Sequence, residues 1–547
     1  MGVGMGGGNP LGVGLDTAVS TCSGAIYAPF KRRKGSGWCS DEKVAEFLPL
    51  PCDHSQVWKA MNRAWQRFEE RARGDNAREL LSDDRAVAMS EMIGSYCRAV
   101  NPRHGFQGIA SMFKLYPETR PTFLLKTLPF IIKQARALPD RLAIGPDDPP
   151  SPLSTDTPLS ETTASAKTDG RDRRRLCMLK YGKEKSETMQ VVVMERDLVL
   201  SLLCNAFLGT IAPDYMQGLP LPHSFYDSSL PDPRFLQLLD ANGPQEVAKL
   251  RMFVNYFDRC RQEMPRGAIT VYRHRSELAD EESWASSQEP LLPMAVERLG
   301  IGFEDAADKR LVHADFANRY IGGGVLSGGC VQEEIRFAIC PENVAALLLC
   351  PNMRDDEALQ IIGAEQFSQY RGYGLGMKYG GDHQDETPRD PDGTVLTALA
   401  CMDALDFRVS GGADLATQLQ PALVLREANK AFAAFYPCNK RTGDMPIATG
   451  NWGAGAFLGC AELKALLQWA AASQAHRYLV YFPFDGDKGQ FSADLRELSN
   501  ACTGGGYRPI TVGELWRALE ATRTRRVHPH LLFEEVWKWL SEDSPER

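Results

Sequence analysis

At about residue 268 the texture of this chain changes, and that change limits its fold more than any other feature. Before it, apolar residues recur at helical spacing. Val247, Leu250, Val254 and Phe257 follow i, i+3, i+7, i+10 and so share one helix face. After it, short β-prone runs alternate with longer helical ones. The runs are Ile269–Tyr272, Leu311–Phe316, Ala358–Ile362, Val395–Cys401 and Tyr478–Phe484. The helical stretches include Glu342–Leu349, Ala422–Phe435 and Ala461–Ala472. Such alternation predicts an α/β fold, a sheet layered with helices. The chain is therefore expected to divide into a helical domain over 40–265 and a sheet-containing domain over 266–547. A length of 547 residues agrees with more than one core.

Within the helical part, Ser82 is the expected N-cap ahead of Val87, Met89, Met92, Ile93 and Tyr96. Pro129 interrupts the apolar stretch Phe123–Leu138, implying a kink or two short helices. Leu198–Phe207 is almost wholly apolar. Two segments fall outside this pattern. Residues 1–39 are glycine-rich and then basic (Lys31-Arg32-Arg33-Lys34), the texture of a disordered tail that could carry a nuclear address. Residues 145–175 are Pro/Ser/Thr-rich and hold almost no large apolar side chain, so a disordered insertion is expected.

Composition removes several classes. No run of about 18 apolar residues occurs, so no membrane partner is expected. The first residues are too glycine-rich for a secretory leader, and Gly6 stands where a myristoylation signal needs Ser or Thr. The net charge of −8 argues against a protein that holds nucleic acid by neutralising phosphates, and no sequence-specific nucleic-acid binding is expected. Fourteen cysteines form no Cys-x-x-Cys pair, and His528-Pro529-His530 is too short for a metal site. The expected setting is reducing, nuclear and/or cytoplasmic, with no metal and no organic cofactor.

The chemistry concentrates between Asp315 and Glu334. Asp315-Phe316-Ala317-Asn318 precedes the triplet Gly322-Gly323-Gly324, and Gln332-Glu333-Glu334 follows seven residues later. Glycines let backbone N–H groups approach a phosphate, and acids beside them supply proton transfer. No Lys-Ser/Thr follows, so this is not a nucleoside-triphosphate loop. Adjacent residues point about 100° apart on a helix, so Glu333 and Glu334 cannot flank one bond as a glycosidase pair does. One should act alone and the other should position substrate. Three further segments look site-like. Tyr373 lies between glycines and suits an aromatic cover. Thr449–Phe457 is a second glycine-rich loop opening a helix, a ready anion site. Phe482-Pro483-Phe484 ends a strand with aromatics that can stack on a base.

Together, Asp315–Asn318, the glycine triplet, Gln332-Glu333-Glu334, Gly450-Asn451-Trp452-Gly453 and Tyr481-Phe482-Pro483-Phe484 resemble the poly(ADP-ribose) glycohydrolases of the eukaryotic type, over roughly residues 245–525. The resemblance implies a macrodomain-like mixed sheet flanked by helices, with an N-terminal helical accessory domain. It implies hydrolysis of ribose–ribose O-glycosidic bonds in poly(ADP-ribose), releasing ADP-ribose, with poly(ADP-ribose) and ADP-ribosylated proteins as partners. By the same resemblance Glu334 is the acid/base, Glu333 holds the adjacent ribose, and Asp315, Asn318 and Gln332 line that pocket. Gly323, Gly324 and the Gly453–Phe457 loop cradle the diphosphate. Asn451 contacts a ribose, Tyr373 clasps the ligand, Phe484 stacks near adenine and Glu304 reads the adenine edge. The chain departs from the family pattern in the glycine-rich run Gly374–Met377 and at Leu458 and Cys460. Two alternatives stay open: a catalytically silent ADP-ribose reader, and a hydrolase of mono-ADP-ribosyl proteins.

Overall fold

The computed structural model describes residues 50–53, 55–73, 77–97, 100, 105–142, 176, 178–180, 188–211, 230–278, 280–298, 310–408, 414–483, 489–504, 509–525 and 527–541. The tail, the 145–175 insertion, Glu304 and Phe484 lie outside these residues.

The N-terminal part is helical, as its periodicity predicts. Its longer helices are α1 (Ser55–Arg71), α2 (Val87–Gly94), α3 (Gln107–Leu115), α4 (Leu128–Arg136), α5 (Arg196–Phe207) and α6 (Pro244–Gln262). Val247, Leu250, Val254 and Phe257 all face inward on α6. Pro129 follows a wider π-turn over Phe123–Thr127 that interrupts an otherwise continuous helical run from Thr119 to Arg136. The cap of α2 is not Ser82, which ends a preceding short helix. The Asp83 carboxylate accepts from the N–H groups of Val87 and Ala88 at 2.8 and 3.0 Å and does that job instead.

Ten strands follow the sequence as β1 (Met189–Glu195), β2 (Ala268–Arg275), β3 (Met294–Val296), β4 (Val312–Ala317), β5 (Glu357–Ile362), β6 (Ser368–Arg371), β7 (Lys378–Asp382), β8 (Ala398–Asp403), β9 (Ile447–Gly450) and β10 (Leu479–Phe482). Eight of them form one mixed sheet in the order β1-β2-β5-β8-β4-β9-β10-β3, and β6–β7 form a separate hairpin. The pairs from β1 to β8 are antiparallel, and those from β8 through β4, β9 and β10 to β3 are parallel. β1 corrects the helical reading of its segment. It comes from within 40–265 yet pairs along its whole length with β2, so the helical part contributes an edge strand to the sheet.

The helices of the second half are α7 (Gln332–Ile339), α8 (Ala345–Leu349), α9 (Pro421–Phe435), α10 (Ala461–Gln474), α11 (Gln490–Thr503), α12 (Val512–Arg523) and α13 (Leu532–Ser541). Strand alternation divides the sheet between two cores. On β8, Leu399 and Cys401 pack with α7, α8 and the helical part, whereas Ala398, Ala400 and Met402 pack with α9, α10 and α12. The strand is buried on both faces, as parallel strands between helical layers are. No helix among the described residues is long and apolar enough to cross a membrane.

Candidate functional site

The site forms where β4 and β9 part. Their parallel pairing stops at His313–Ala448, while β4 stays paired to β8 as far as Ala317 and β9 to β10 as far as Gly450. A crevice therefore opens at the carboxyl ends of two central strands, the place where open α/β sheets bind ligands. Divergence leaves the β9-facing edge of β4 without a strand partner. Gln332 fills it: its Nε2 donates to the Ala314 carbonyl at 3.2 Å and its Oε1 accepts from the Phe316 N–H at 2.9 Å. This amide stands in for one residue of missing strand and pins the start of α7 to the sheet. Its hydrogen-bonding atoms thus serve β4 rather than lying open to a ligand.

The next two residues of α7 turn inward. Glu333 Oε1 accepts from the Gly322 N–H at 2.6 Å and Oε2 from the Asn318 N–H at 2.8 Å. Glu334 Oε1 accepts from the Gly324 N–H at 2.9 Å, and Oε2 from the Val331 N–H at 2.9 Å, closing the first turn of its own helix. The remaining amide of the triplet, Gly323, donates to the Tyr320 carbonyl at 3.1 Å. All three glycine N–H groups are thus spent inside the loop, and the phosphate-cradle role expected for Gly323 and Gly324 finds none of them open. The glycines answer a different need. A Cβ on Gly323, at φ +50°, would meet Glu334 Oε1 at 2.5 Å and Glu333 Oε2 at 2.7 Å, and one on Gly329 would meet Glu334 Oε1 at 2.6 Å. They make room for two carboxylates, and Gly323 itself is exposed. The glycine backbone alone covers both acids there.

Asp315, at the centre of β4, is fully buried, and neither carboxylate oxygen has a nitrogen or oxygen partner. Burial pushes its pKa up to about 7; the Glu334 charge adds to this, while the Cys401 thiol and Arg336 oppose it. Burial, then Asp315, then Glu334 push Glu333 well above the ordinary carboxylate range, against its two backbone bonds. Two buried acids this close cannot both be ionised at neutral pH, so Asp315 and Glu333 share a proton as a unit.

Around this centre, Asn318 is exposed, with its Oδ1 accepting from the Tyr320 N–H at 3.0 Å. Tyr373 sits at the tip of the β6–β7 hairpin, 47% exposed, its hydroxyl against the main chain of Gln332 and within the field of Glu334. That places its ring over the start of α7, where the sequence asks for a cover. Asn451 follows β9, and its Oδ1 accepts from the Tyr481 hydroxyl at 3.2 Å. In the loop beyond it, the N–H groups of Gly453, Gly455, Ala456 and Phe457 donate to no partner among the described residues. These are open amides of the kind the Gly322–Gly324 triplet lacks. Gly453 is obligatory there, since at φ +68° its Cβ would lie 2.6 Å from Ala404 Cβ. The Trp452 indole beneath donates to the Met402 carbonyl at 3.0 Å and anchors the loop to β8.

Sequence reasoning missed Lys249. It lies on α6, in the helical part, and is fully buried. Its ammonium donates to the carbonyls of Gly324, Ser327 and Gly329. No motif marks it; only its place among the buried positions of an otherwise apolar face does. Among the described residues, no group of three or more His, Cys, Asp or Glu is set to hold a metal ion.

Fold and site together define a macrodomain: a mixed sheet between helical layers with a ligand crevice at the ends of its central strands. Family comparison specifies which. Residues 281–491 match the model "Poly (ADP-ribose) glycohydrolase (PARG), Macro domain fold", and residues 115–273 match its companion, the helical domain. The chain belongs to the poly(ADP-ribose) glycohydrolase family. Among curated proteins it is 29% identical over 410 residues to Poly(ADP-ribose) glycohydrolase 1 of Arabidopsis thaliana, covering 63% of this chain and 71% of that one. It is 31% identical over 315 residues to Poly(ADP-ribose) glycohydrolase 1 of Caenorhabditis elegans, covering 56% and 39%. To Poly(ADP-ribose) glycohydrolase 2 of the same worm it is 33% identical over 267 residues, covering 47% and 54%.

Proposed function

We propose that this protein hydrolyses the ribose–ribose O-glycosidic bonds of poly(ADP-ribose) and releases ADP-ribose, with Glu334 as the acid/base. The observation that carries the assignment is the exposed Gly323 lying directly over the carboxylates of Glu333 and Glu334. A sugar resting on that glycine comes within reach of both acids without displacing a side chain. Glu334 gives a proton to the departing 2′-oxygen. Once that oxygen leaves as a hydroxyl, the Glu334 carboxylate takes a proton from the attacking water. Glu333, clamped by Asn318 and Gly322, holds the neighbouring ribose in register with the loop.

The diphosphate belongs to the second glycine loop, where the N–H groups of Gly453, Gly455, Ala456 and Phe457 face no protein acceptor among the described residues. Asn451 meets a ribose, and Tyr373 closes over the ligand from the hairpin. Glu304 and Phe484 complete the adenine end of this proposal. The cellular setting is the nucleus and/or cytoplasm, where ADP-ribosylated proteins are the partners, and the two-domain division at about 265 goes with it.

Glu334→Gln tests the assignment. Turnover of purified polymer is expected to fall below a tenth of the wild-type rate while ADP-ribose binding is retained. A variant that keeps more than that rate removes Glu334 from the mechanism. Wild-type protein that binds ADP-ribose without cleaving polymer is the silent reader instead.

A further inference from the structure

We infer that Lys249 is a positioning residue for this hydrolysis, holding the loop that sets Glu334 from a helix outside the sheet. The inference rests on the site read above. An ammonium group has three N–H donors. At Lys249 each meets a main-chain carbonyl of one loop, those of Gly324, Ser327 and Gly329. The loop spans β4 to α7; Val325 and Leu326 pack into the core, while its inward carbonyls meet the Lys249 ammonium. The residues of this stretch are Gly324, Val325, Leu326, Ser327, Gly328 and Gly329.

Lys249 and Glu334 grip the same stretch from opposite sides. Gly324 gives its N–H to Glu334 Oε1 and its carbonyl to Lys249 Nζ. Gly329 gives its carbonyl to Lys249, and a Cβ on it would run into the Glu334 carboxylate. The carboxylate is therefore positioned by a glycine backbone that this cation helps to hold. Without that cation the Ser327 and Gly329 carbonyls turn inward with no donor among the described residues, Gly324 keeping only its turn bonds from Ser327 and Gly329, and the loop must move to satisfy them. Glu334 then loses both a backbone donor and the wall against which it stands. The carboxylates facing the ammonium are those of Glu334 and Glu246, with the Cys330 thiol beside them. Glu246 and Lys249 stand on the same helix, so α6 brings its own counter-charge to the junction. The same helix also reaches the hairpin bearing Tyr373: Arg251 lies 4.6 Å from the Tyr379 ring centroid, and the Asn255 amide donates to Asp382 at 2.9 Å. One helix thus orders both walls of the crevice, which gives the helical part a catalytic reason to be present.

The test compares wild type with Lys249→Met and Lys249→Arg in the full chain. It measures polymer turnover, KM and the stoichiometry of ADP-ribose binding. Wild-type turnover comes first, because an inert wild type defeats the functional reading itself and this inference with it. A misplaced carboxylate is expected to lower kcat about 10–100-fold in Lys249→Met, with KM within about threefold and one ADP-ribose still bound per chain. Lys249→Arg, which keeps a cation and donors, is expected to recover part of that loss. A folded Lys249→Met that turns over at the wild-type rate overturns the inference. So does a loss of kcat matched by an equal loss of binding stoichiometry, which would mean that Lys249 only keeps the protein folded. If the methionine variant does not fold, Lys249→Gln, with two donors left, carries the same test and the same refutation.

Discussion

Replacing Asp315 by Asn should remove part of the protein's loss of stability between mildly acidic and mildly alkaline pH. Burial raises this carboxyl from an ordinary 3.8 to about 7. In the unfolded chain the same group ionises near its ordinary value. Between the two values the folded protein therefore keeps a proton that the unfolded chain has lost. Stability falls as pH rises through that window, and the full cost is present above about 7. At 1.36 kcal/mol per pH unit the rise corresponds to at most about 4 kcal/mol. Asparagine is nearly isosteric, cannot ionise, and lowers the charge that pushes Glu333 up. Urea unfolding of both proteins at intervals from pH 5 to 8.5 should show the wild type losing stability with pH and Asp315→Asn following a flatter curve. The absolute offset between them is immaterial, because the buried amide carries its own desolvation cost; the slope decides. Parallel curves would show that Asp315 is not a stored proton, and the shared-proton account of Asp315 and Glu333 would fall with it.

Three further outcomes follow from the same geometry. Gly323→Ala forces a Cβ at φ +50° into the Glu333 and Glu334 carboxylates, so polymer turnover should fall more than about tenfold and stability by about 1–3 kcal/mol; near-wild-type kcat would show that the loop accommodates the methyl group. Tyr373→Ala removes a ring 47% exposed at a hairpin tip; the melting temperature should hold while ADP-ribose binding weakens about tenfold by calorimetry, and unchanged binding would remove the clasp. If the open amides of Gly453 and Gly455–Phe457 hold the diphosphate, the affinity for ADP-ribose should change little between about 50 and 200 mM salt, whereas a steep loss would point to lysines and arginines instead.

Much of the architecture is legible in the sequence because it depends on local periodicity. The inward face of α6 and the strands at 268–275, 312–317 and 357–362 all carry patterns that neighbours in sequence can supply. The strands that escape reading are short or lack the pattern. β9 has four residues, Ile-Ala-Thr-Gly, and β3 has three. β1 is apolar and β-branched, but it sits between a charged, polar stretch and a helix, in a region whose dominant texture is helical. It becomes a strand through its partner β2, some eighty residues later.

The candidate site divides in the same way. Residue types and their spacing alone establish that an acid pair follows a glycine loop, that an aromatic lies between glycines, and that a second glycine loop opens a helix, since these are properties of neighbouring residues. Only the folded chain decides what each group touches. The triplet's amides turn toward Glu333, Tyr320 and Glu334, so the triplet houses acids, while Gly453 and Gly455–Phe457 of the second loop keep open amides. Gln332 completes a strand edge that exists only because β4 and β9 separate. Asp315 owes its proton to desolvation by two helical layers, and Lys249 reaches the loop from 75 positions away in the chain. Hydrogen bonding and burial depend on contacts between distant segments, and no spacing along one strand of sequence encodes them.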